Sequence, residues 1–132
     1  MQRIEPDFNN CPETHANGIL TGKDLFVAGQ VGVDPSTGKH AEGIAAQAAA
    51  ALANFKSVVE AANGGLGDIT KLTIYIADMA ALQTEMAGFM RAFSDVFGKD
   101  HVPAMTLVGV TALMSQDYLV EIEGHARIGG DA

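Results

Sequence analysis

A strand is predicted near residues 119–128, and from position 120 onward its apolar or small residues alternate with polar ones. A period of two is typical of a β-strand with one face in a hydrophobic core and the other turned away from it. We expect the apolar set to face the core, namely Val120, Ile122, Gly124, Ala126 and Ile128. The opposite face then carries two carboxylates, an imidazole and a guanidinium, from Glu121, Glu123, His125 and Arg127.

Two longer stretches place apolar residues every three or four positions, which is the period of an amphipathic helix. The first runs from about residue 42 to 63 and has the stripe Ile44, Ala48, Ala51, Phe55, Val58 and Ala62. It stops at Asn63, Gly64 and Gly65, which suit a helix C-terminus. The second runs from about residue 81 to 97, and we predict that its stripe lies in the core: Leu82, Met86, Phe89, Met90 and Phe93.

Short apolar runs predict further strands at residues 25–31, 71–77 and 104–110, with a weaker one near Ile19. Residues 1 to about 14 show no clear period and are predicted as an irregular lead-in, and residues 34–38 as a turn. The order β-β-α-β-α-β-β predicts one α/β (α+β) domain over residues 1–132, with a single mixed sheet and two helices on one face. The mixed second face suggests burial against another subunit.

Composition limits the classes of partner. The 132 residues are 48% hydrophobic and 18% charged, as in a globular chain, and their formal net charge is −8. Only 8 lysines and arginines are present, so neither nucleic acid nor an anionic membrane is an expected partner. No apolar run approaches the ~18 residues of a membrane span. A single Cys11 excludes an intramolecular disulfide, and the N-terminus has no signal-like apolar stretch, so a cytoplasmic location is expected.

Common catalytic and metal-binding patterns fit the chain poorly. Residues 32–40 resemble a phosphate-binding loop, but the glycine spacing is too long and His40 stands where Ser or Thr is needed. A metal site at Glu121, Glu123 and His125 is disfavoured because side chains two apart on a strand stand about 7 Å from each other. Cys11 has no clear base nearby in sequence for a nucleophilic role.

Glu121 is the candidate catalytic residue. It lies on a strand among apolar neighbours, on the face that we expect another subunit to cover. Burial there would raise the pKa of its carboxyl and suit it to relaying protons. The residues alone leave two interpretations open, a catalytic glutamate and a buried, ion-paired glutamate.

Five segments, taken in order and with their spacing, resemble the RidA family (reactive intermediate deaminase, YjgF-type). They are residues 28–38, 46–62 with Asn54, 67–69 with the following strand, 102–104 and 120–123. The resemblance implies a chorismate-mutase-like fold and a homotrimer with small-molecule clefts between subunits. It implies water attack on an imine formed from an enamine such as 2-aminoacrylate, without cofactor or metal. It also implies that Glu121 activates the water and that the backbone of Gly29 lines the cleft.

The chain departs from the family pattern at three positions of the implied pocket. Active members carry an arginine that grips the substrate carboxylate where this chain has Met105. A serine of the family corresponds to Ala28 and a tyrosine to His15. Losing a charge-assisted contact costs about 1.5–3 kcal/mol, which disfavours the usual small amino-acid-derived imine. The chain thus resembles an arginine-less branch of the family, some of whose members resemble 2-aminomuconate deaminases.

Three functions therefore stay open. The first is a hydrolytic enamine/imine deaminase with an altered substrate preference, in which Glu121 handles the proton. The second is a non-catalytic trimer of the same family that binds a small molecule. The third is a ribonuclease or translation inhibitor, which the acidic charge disfavours.

Overall fold

Six strands form one sheet, and the computed structural model describes residues 1–7 and 12–130. Strands β1 to β6 span, in chain order, Gln2–Ile4, Gly18–Thr21, Asp24–Val31, Ile69–Ile76, Ala104–Gly109 and Val120–Arg127. Their order across the sheet is β1-β2-β3-β6-β4-β5. Neighbouring strands are antiparallel except β4 and β5, which are parallel. The predicted strands are confirmed, including the weaker one near Ile19.

Three α-helices accompany the sheet in the described residues: α1 (Ile44–Ala61), α2 (Met79–Thr84) and α3 (Met86–Phe97). A single 3₁₀ turn, Leu66–Asp68, precedes β4. The predicted stripe of the first helix is confirmed, because all six of its residues are buried in the core between α1, β3 and β6. Truncation of a buried phenylalanine such as Phe55 would cost about 3–5 kcal/mol. No helix in the described part of the chain is long and apolar enough to cross a membrane.

Strand β6 lies in the middle of the sheet and presents the two faces that its alternation predicts. Val120, Ile122 and Ala126 are 0% exposed and pack under α1. Only glycine fits at position 124, because a Cβ there would overlap the backbone carbonyl of Lys71 on β4 and would also come within 3.1 Å of the Phe55 ring. The polar residues of β6 therefore lie on the sheet face away from the helices.

The prediction of a wholly irregular lead-in is wrong. Residues Gln2–Ile4 form β1 and pair with β2 at the sheet edge, and Ile4 is buried. The strand escaped prediction because three residues are too few to show a period of two.

The prediction of a single second helix is also wrong, because the chain breaks at Glu85 into α2 and α3. Glu85 has φ −110° and ψ 23°, and its carboxylate accepts the backbone N–H of Ile44 at 3.4 Å. Gly43, which precedes α1, has no side chain that could satisfy the first N–H groups of that helix. From the break between α2 and α3, Glu85 thus supplies a capping interaction that α1 lacks.

Met86 and Met90 are not core residues, contrary to the prediction. Their exposed fractions are 43% and 57%, whereas Leu82, Phe89 and Phe93 of the same predicted stripe are buried. The cause is the edge strand β5, whose six residues are all exposed and leave the flank of α3 uncovered. A stripe read from the sequence does not show how much sheet lies beneath it.

The sheet face away from the helices, called here the open face, has a mixed surface. Its side chains include Phe26, Thr73, Tyr75, Val108, Glu121, Glu123 and His125. Phe26 is 53% exposed and Val108 38% exposed, although Phe26 also packs edge-on against His125. The open face thus carries exposed apolar groups among polar and charged side chains.

Gln47 of α1 ties three segments together in the core. Its side chain is 1% exposed, and its amide nitrogen donates to the carbonyl oxygens of Ala41 and Asp117 at 3.0 and 2.8 Å. Its amide oxygen accepts the N–H of Leu119 at 2.8 Å. The residue just before β6 is thereby fixed to the helix layer, which sets the start of the strand that carries Glu121.

Gln47→Leu keeps the size of the side chain but leaves a buried N–H and two carbonyl groups without this partner. We expect the free energy of unfolding to fall by about 2–4 kcal/mol in urea denaturation. Gln83→Leu is the matched control, because Gln83 is an exposed helical glutamine, and it should change the stability by less than about 0.5 kcal/mol. Equal stability of the two variants would contradict the role of Gln47.

Candidate active site

A β-bulge in β3 shapes the open face beside β6. Val27 pairs with Gly124 and Gln30 pairs with Ile122, so Ala28 and Gly29 together lie opposite one residue of β6. The bulge turns Gln30 toward the buried side of the sheet, where it is 6% exposed. Gly29 consequently shares a face with Val31, whose register partner is Glu121. Bulges of this kind are frequent next to active sites because they redirect side chains.

Glu121 lies directly against Gly29. A Cβ built on Gly29 would come within 2.3 Å of the Glu121 Oε1 atom, which is far inside van der Waals contact. Only glycine therefore fits here while Glu121 keeps its position. The structure brings together Glu121, Gly29 and the adjacent Ala28, three of the residues that the sequence singled out.

The surroundings of Glu121 disfavour its charged form. Burial raises the pKa of its carboxyl above the ordinary value, and the negative charge of Glu123 raises this pKa further. The ion pairs on the open face lie at the far end of β6, where Asp24 contacts His125 at 3.0 Å and Arg127 at 3.3 Å. Within the described residues these ion pairs do not include Glu121, so the geometry fits a carboxyl with a raised pKa better than the ion-paired glutamate considered above.

The other polar residues of β6 have separate partners. Glu123 accepts a short hydrogen bond from the Tyr75 hydroxyl, and His125 contacts Thr70 and Asp24. Within the described residues, no cluster of three or more His, Cys, Asp and Glu side chains is placed to hold a metal ion.

His15 lines a cavity that adjoins the contact between Gly29 and Glu121. A cavity of ≈ 310 Å³ is lined by Pro12, His15, Asn17, Gly29, Gln30, Val31, Val33, Pro35 and Asn54. Glu121 does not line this cavity, but Gly29 belongs both to the cavity wall and to the contact with Glu121. His15 itself is exposed, and its Nδ1 atom lies 3.0 Å from the Thr14 hydroxyl.

A network that the sequence reasoning missed holds this wall in place. Arg3 donates to the carbonyl oxygen of His15 at 3.0 Å and to the carboxylate of Glu5 at 2.7 Å. Glu5 accepts from the amide of Asn17 at 2.8 Å, and Asn17 accepts from the Gln30 amide at 3.1 Å. The alternation of Arg3, Ile4 and Glu5 was the one available sign of this arrangement, because it places both charged groups on one side of β1.

Met105 lies elsewhere in the protomer. Its register partner on β4 is Leu72, a core residue, so the Met105 side chain points to the helix side of the sheet. There it borders an apolar cavity of ≈ 340 Å³ whose other walls include Met90, Phe93 and Leu107. Within one protomer Met105 and Glu121 are therefore on opposite faces of the sheet, and Met105 is not brought together with Glu121, Gly29 and Ala28 as the sequence predicted.

Two further sequence assignments concern loops. The turn at residues 34–38 is confirmed, since the N–H of Gly38 donates to the carbonyl oxygen of Asp34 at 2.8 Å and Gly38 has φ +74°. Cys11 lies outside the described residues.

Comparison with known proteins identifies the family. The sequence profile described as Endoribonuclease L-PSP matches residues 11–128. The chain belongs to this family, which is the RidA (YjgF) family. Its sequence is 36% identical over 112 residues, 85% of each chain, to the 2-iminobutanoate/2-iminopropanoate deaminase of Salmonella typhimurium.

Solved structures of RidA proteins have the same fold. The YjgF gene product of Escherichia coli matches with a TM-score of 0.82 and 30% identity, covering 96% of this chain and 98% of that one. E. coli TdcF with bound serine matches with a TM-score of 0.84 and 29% identity, with the same coverage. The predicted family and the chorismate-mutase-like fold are confirmed, with three helices where two were predicted.

The raised pKa of Glu121 has a consequence for stability. The carboxyl group binds its proton more tightly in the folded chain, so its contribution to stability is present at low pH and is lost as the pH rises through the folded pKa. Glu121→Gln cannot ionise. We therefore expect this variant to gain thermal stability relative to the wild type as the pH rises above about 4.5.

Thermal unfolding followed by circular dichroism between pH 4 and pH 8 measures this difference. Glu60→Gln is the control, because Glu60 is an exposed carboxylate on α1, and its difference from the wild type should not grow in the same way. Lower stability of Glu121→Gln at neutral pH would indicate a structural, charge-paired glutamate.

Proposed function

We propose that this protein is a hydrolytic enamine/imine deaminase that works as a cytoplasmic homotrimer, with Glu121 as its proton-transferring group. The observation that carries this proposal is the Glu121 carboxyl, half-buried against Gly29, with a pKa raised by burial and by Glu123. The name of the Salmonella relative, a deaminase of 2-iminobutanoate and 2-iminopropanoate, supports the reaction class. The serine bound to TdcF supports a small-molecule cleft.

The reaction needs one group that moves a proton in both directions. Glu121 as carboxylate takes one proton from water while the water oxygen attacks the carbon of the protonated imine, and the C=N bond becomes a single bond to an amine. The same carboxyl then gives this proton to the amine nitrogen, the C–N bond breaks with its electron pair on the departing ammonia, and the hydroxyl proton passes back to the Glu121 carboxylate as the carbonyl forms. A raised pKa suits both steps, because it makes the acid form easier to reach for a group that must also act as a base.

The substrate preference should differ from that of arginine-bearing relatives. Met105 supplies neither charge nor hydrogen-bond donors at the position where those relatives hold a carboxylate, and its surroundings are apolar. Ala28 likewise replaces a hydroxyl-bearing side chain. We propose an imine or enamine whose recognition depends less on a carboxylate and more on apolar contacts. The cleft would form between subunits, where Met105 of one subunit could approach Glu121 of another.

The principal alternative is a trimer that binds a small molecule without turning it over. The sequence favours this alternative at three positions. Met105, Ala28 and His15 stand where the family resemblance implies an arginine, a serine and a tyrosine in the pocket. A ribonuclease or translation inhibitor is the third candidate, supported by the family description and opposed by the net charge of −8. Salt-dependent RNA binding by the purified protein would favour this third function.

Glu121→Gln tests the deaminase against the binder. Imines generated in the assay by an amino-acid oxidase, from a panel of acidic, aliphatic and aromatic amino acids, provide the substrates, and accelerated ammonia release is the readout. On any imine that the wild type hydrolyses, Glu121→Gln should lower the rate by about 10²–10⁴-fold. Glu60→Gln should retain the wild-type rate. Turnover that survives in Glu121→Gln would remove the proposed role of this residue.

Met105→Arg tests the substrate preference. We expect the wild type to hydrolyse 2-iminopropanoate weakly, and the variant to gain about 10–100-fold in kcat/KM, the equivalent of one charge-assisted contact. Met90→Arg is the control, since Met90 borders the same apolar cavity and should give no such gain. Efficient hydrolysis by the wild type would show that another group holds the carboxylate, with His15 the first to test.

The assembly is tested by sedimentation equilibrium at micromolar concentration. We expect a mass about three times that of the 13.7 kDa chain, because the open face exposes apolar groups that a second subunit would cover. A stable monomer would contradict both the trimer and the cleft between subunits.

A further inference from the structure

Tyr75 connects the two carboxylates of the open face. It lies on β4 directly opposite Glu121 in the strand register, and Thr73 lies opposite Glu123. The Tyr75 side chain reaches diagonally, and its hydroxyl donates to the Oε1 atom of Glu123. Diagonal contacts of this kind are within reach of aromatic side chains on neighbouring strands. The hydrogen bond fixes the Glu123 carboxylate on the same side of the sheet as Glu121, two residues away.

The charged groups near Glu121 can be taken strand by strand. On β3 the facing positions are Gly29 and Val31, which carry no charge. On β4 the titratable residue opposite is Tyr75, and Lys71 further along contacts the Thr106 hydroxyl. On β6 the neighbour is Glu123, and beyond it His125 contacts Asp24. Glu123 is thus the ionisable carboxylate placed to act on Glu121.

We propose that Tyr75 and Glu123 are positioning residues that set the protonation state of Glu121. Tyr75 holds the Glu123 side chain in place, and the charge of Glu123 makes Glu121 bind a proton more readily. Two carboxyl groups with different surroundings can divide the roles of charge and proton in this way. This inference rests on the proposed function, since a proton held on Glu121 has a use only if Glu121 transfers protons.

Burial alone does not account for the raised pKa of Glu121, and the Tyr75–Glu123 pair supplies the second cause. The residue remains partly accessible on the open face, and the charge of Glu123 acts on it in addition to burial. The Tyr75 pKa is raised, first by the hydrogen bond to Glu123, and then by burial and by the charges of Glu123 and Glu121. Tyr75 therefore stays a hydrogen-bond donor throughout the range in which glutamates titrate.

The experiment is a ¹³C NMR titration of protein labelled at the glutamate carboxyl carbons, with the Glu121 signal assigned by its loss in Glu121→Gln. It needs no substrate. In Glu123→Gln the titration midpoint of Glu121 should move to lower pH, because the fixed charge is gone while the shape is kept. In Tyr75→Phe it should move in the same direction by less, because Glu123 is then free to turn away. Glu60→Gln should leave it unchanged.

The double variant Tyr75→Phe/Glu123→Gln decides how Tyr75 acts. If Tyr75 works through Glu123, adding Tyr75→Phe to Glu123→Gln should have no further effect on the midpoint. An unchanged Glu121 midpoint in Glu123→Gln would overturn the proposal, as would an undiminished effect of Tyr75→Phe in the double variant. If the midpoints move as expected but no imine is hydrolysed, the pair is supported while the deaminase function fails.

Discussion

The pairing of β6 with β3 on one side and β4 on the other determines where Glu121 lies and which residues surround it. Val120, Ile122 and Ala126 are fully buried under α1, so the strand cannot rotate or slip by one residue without placing carboxylates in the core. Glu121 is therefore committed to the opposite face. Its surroundings then follow from its two neighbours: the bulge of β3 presents a bare glycine, and β4 presents a tyrosine.

The alternation of β6 was sufficient to predict its two faces and to select Glu121, because both follow from a period of two within one segment. The bulge could not be predicted in that way. It depends on how Val27 and Gln30 register against another strand, and no local pattern records this register. The same limit applies to Tyr75, which fell inside a predicted strand but whose partner Glu123 was set only by the β4–β6 pairing.

Helix predictions failed where the sheet, and not the helix, decides burial. Met86 and Met90 have the spacing of core residues, yet they lie over an edge strand that offers little to cover them. The position of Met105 shows the same limit for predictions about the site. Alignment to the family predicted that it lines the cleft, while the parallel register with β4 directs it to the helix side of its own protomer. A residue matched by sequence to a family pocket thus need not lie beside the other matched residues of its own chain.

Gly29 limits how this protein can be altered. Because the Glu121 carboxyl occupies the space where a side chain at position 29 would start, any substitution there displaces this carboxyl before it changes the cavity. Libraries that vary the surroundings of Glu121 should therefore leave this position fixed and vary neighbouring positions such as Ala28 and His15. Among natural homologues, a larger residue at this position should mark chains that have given up the carboxylate or moved it.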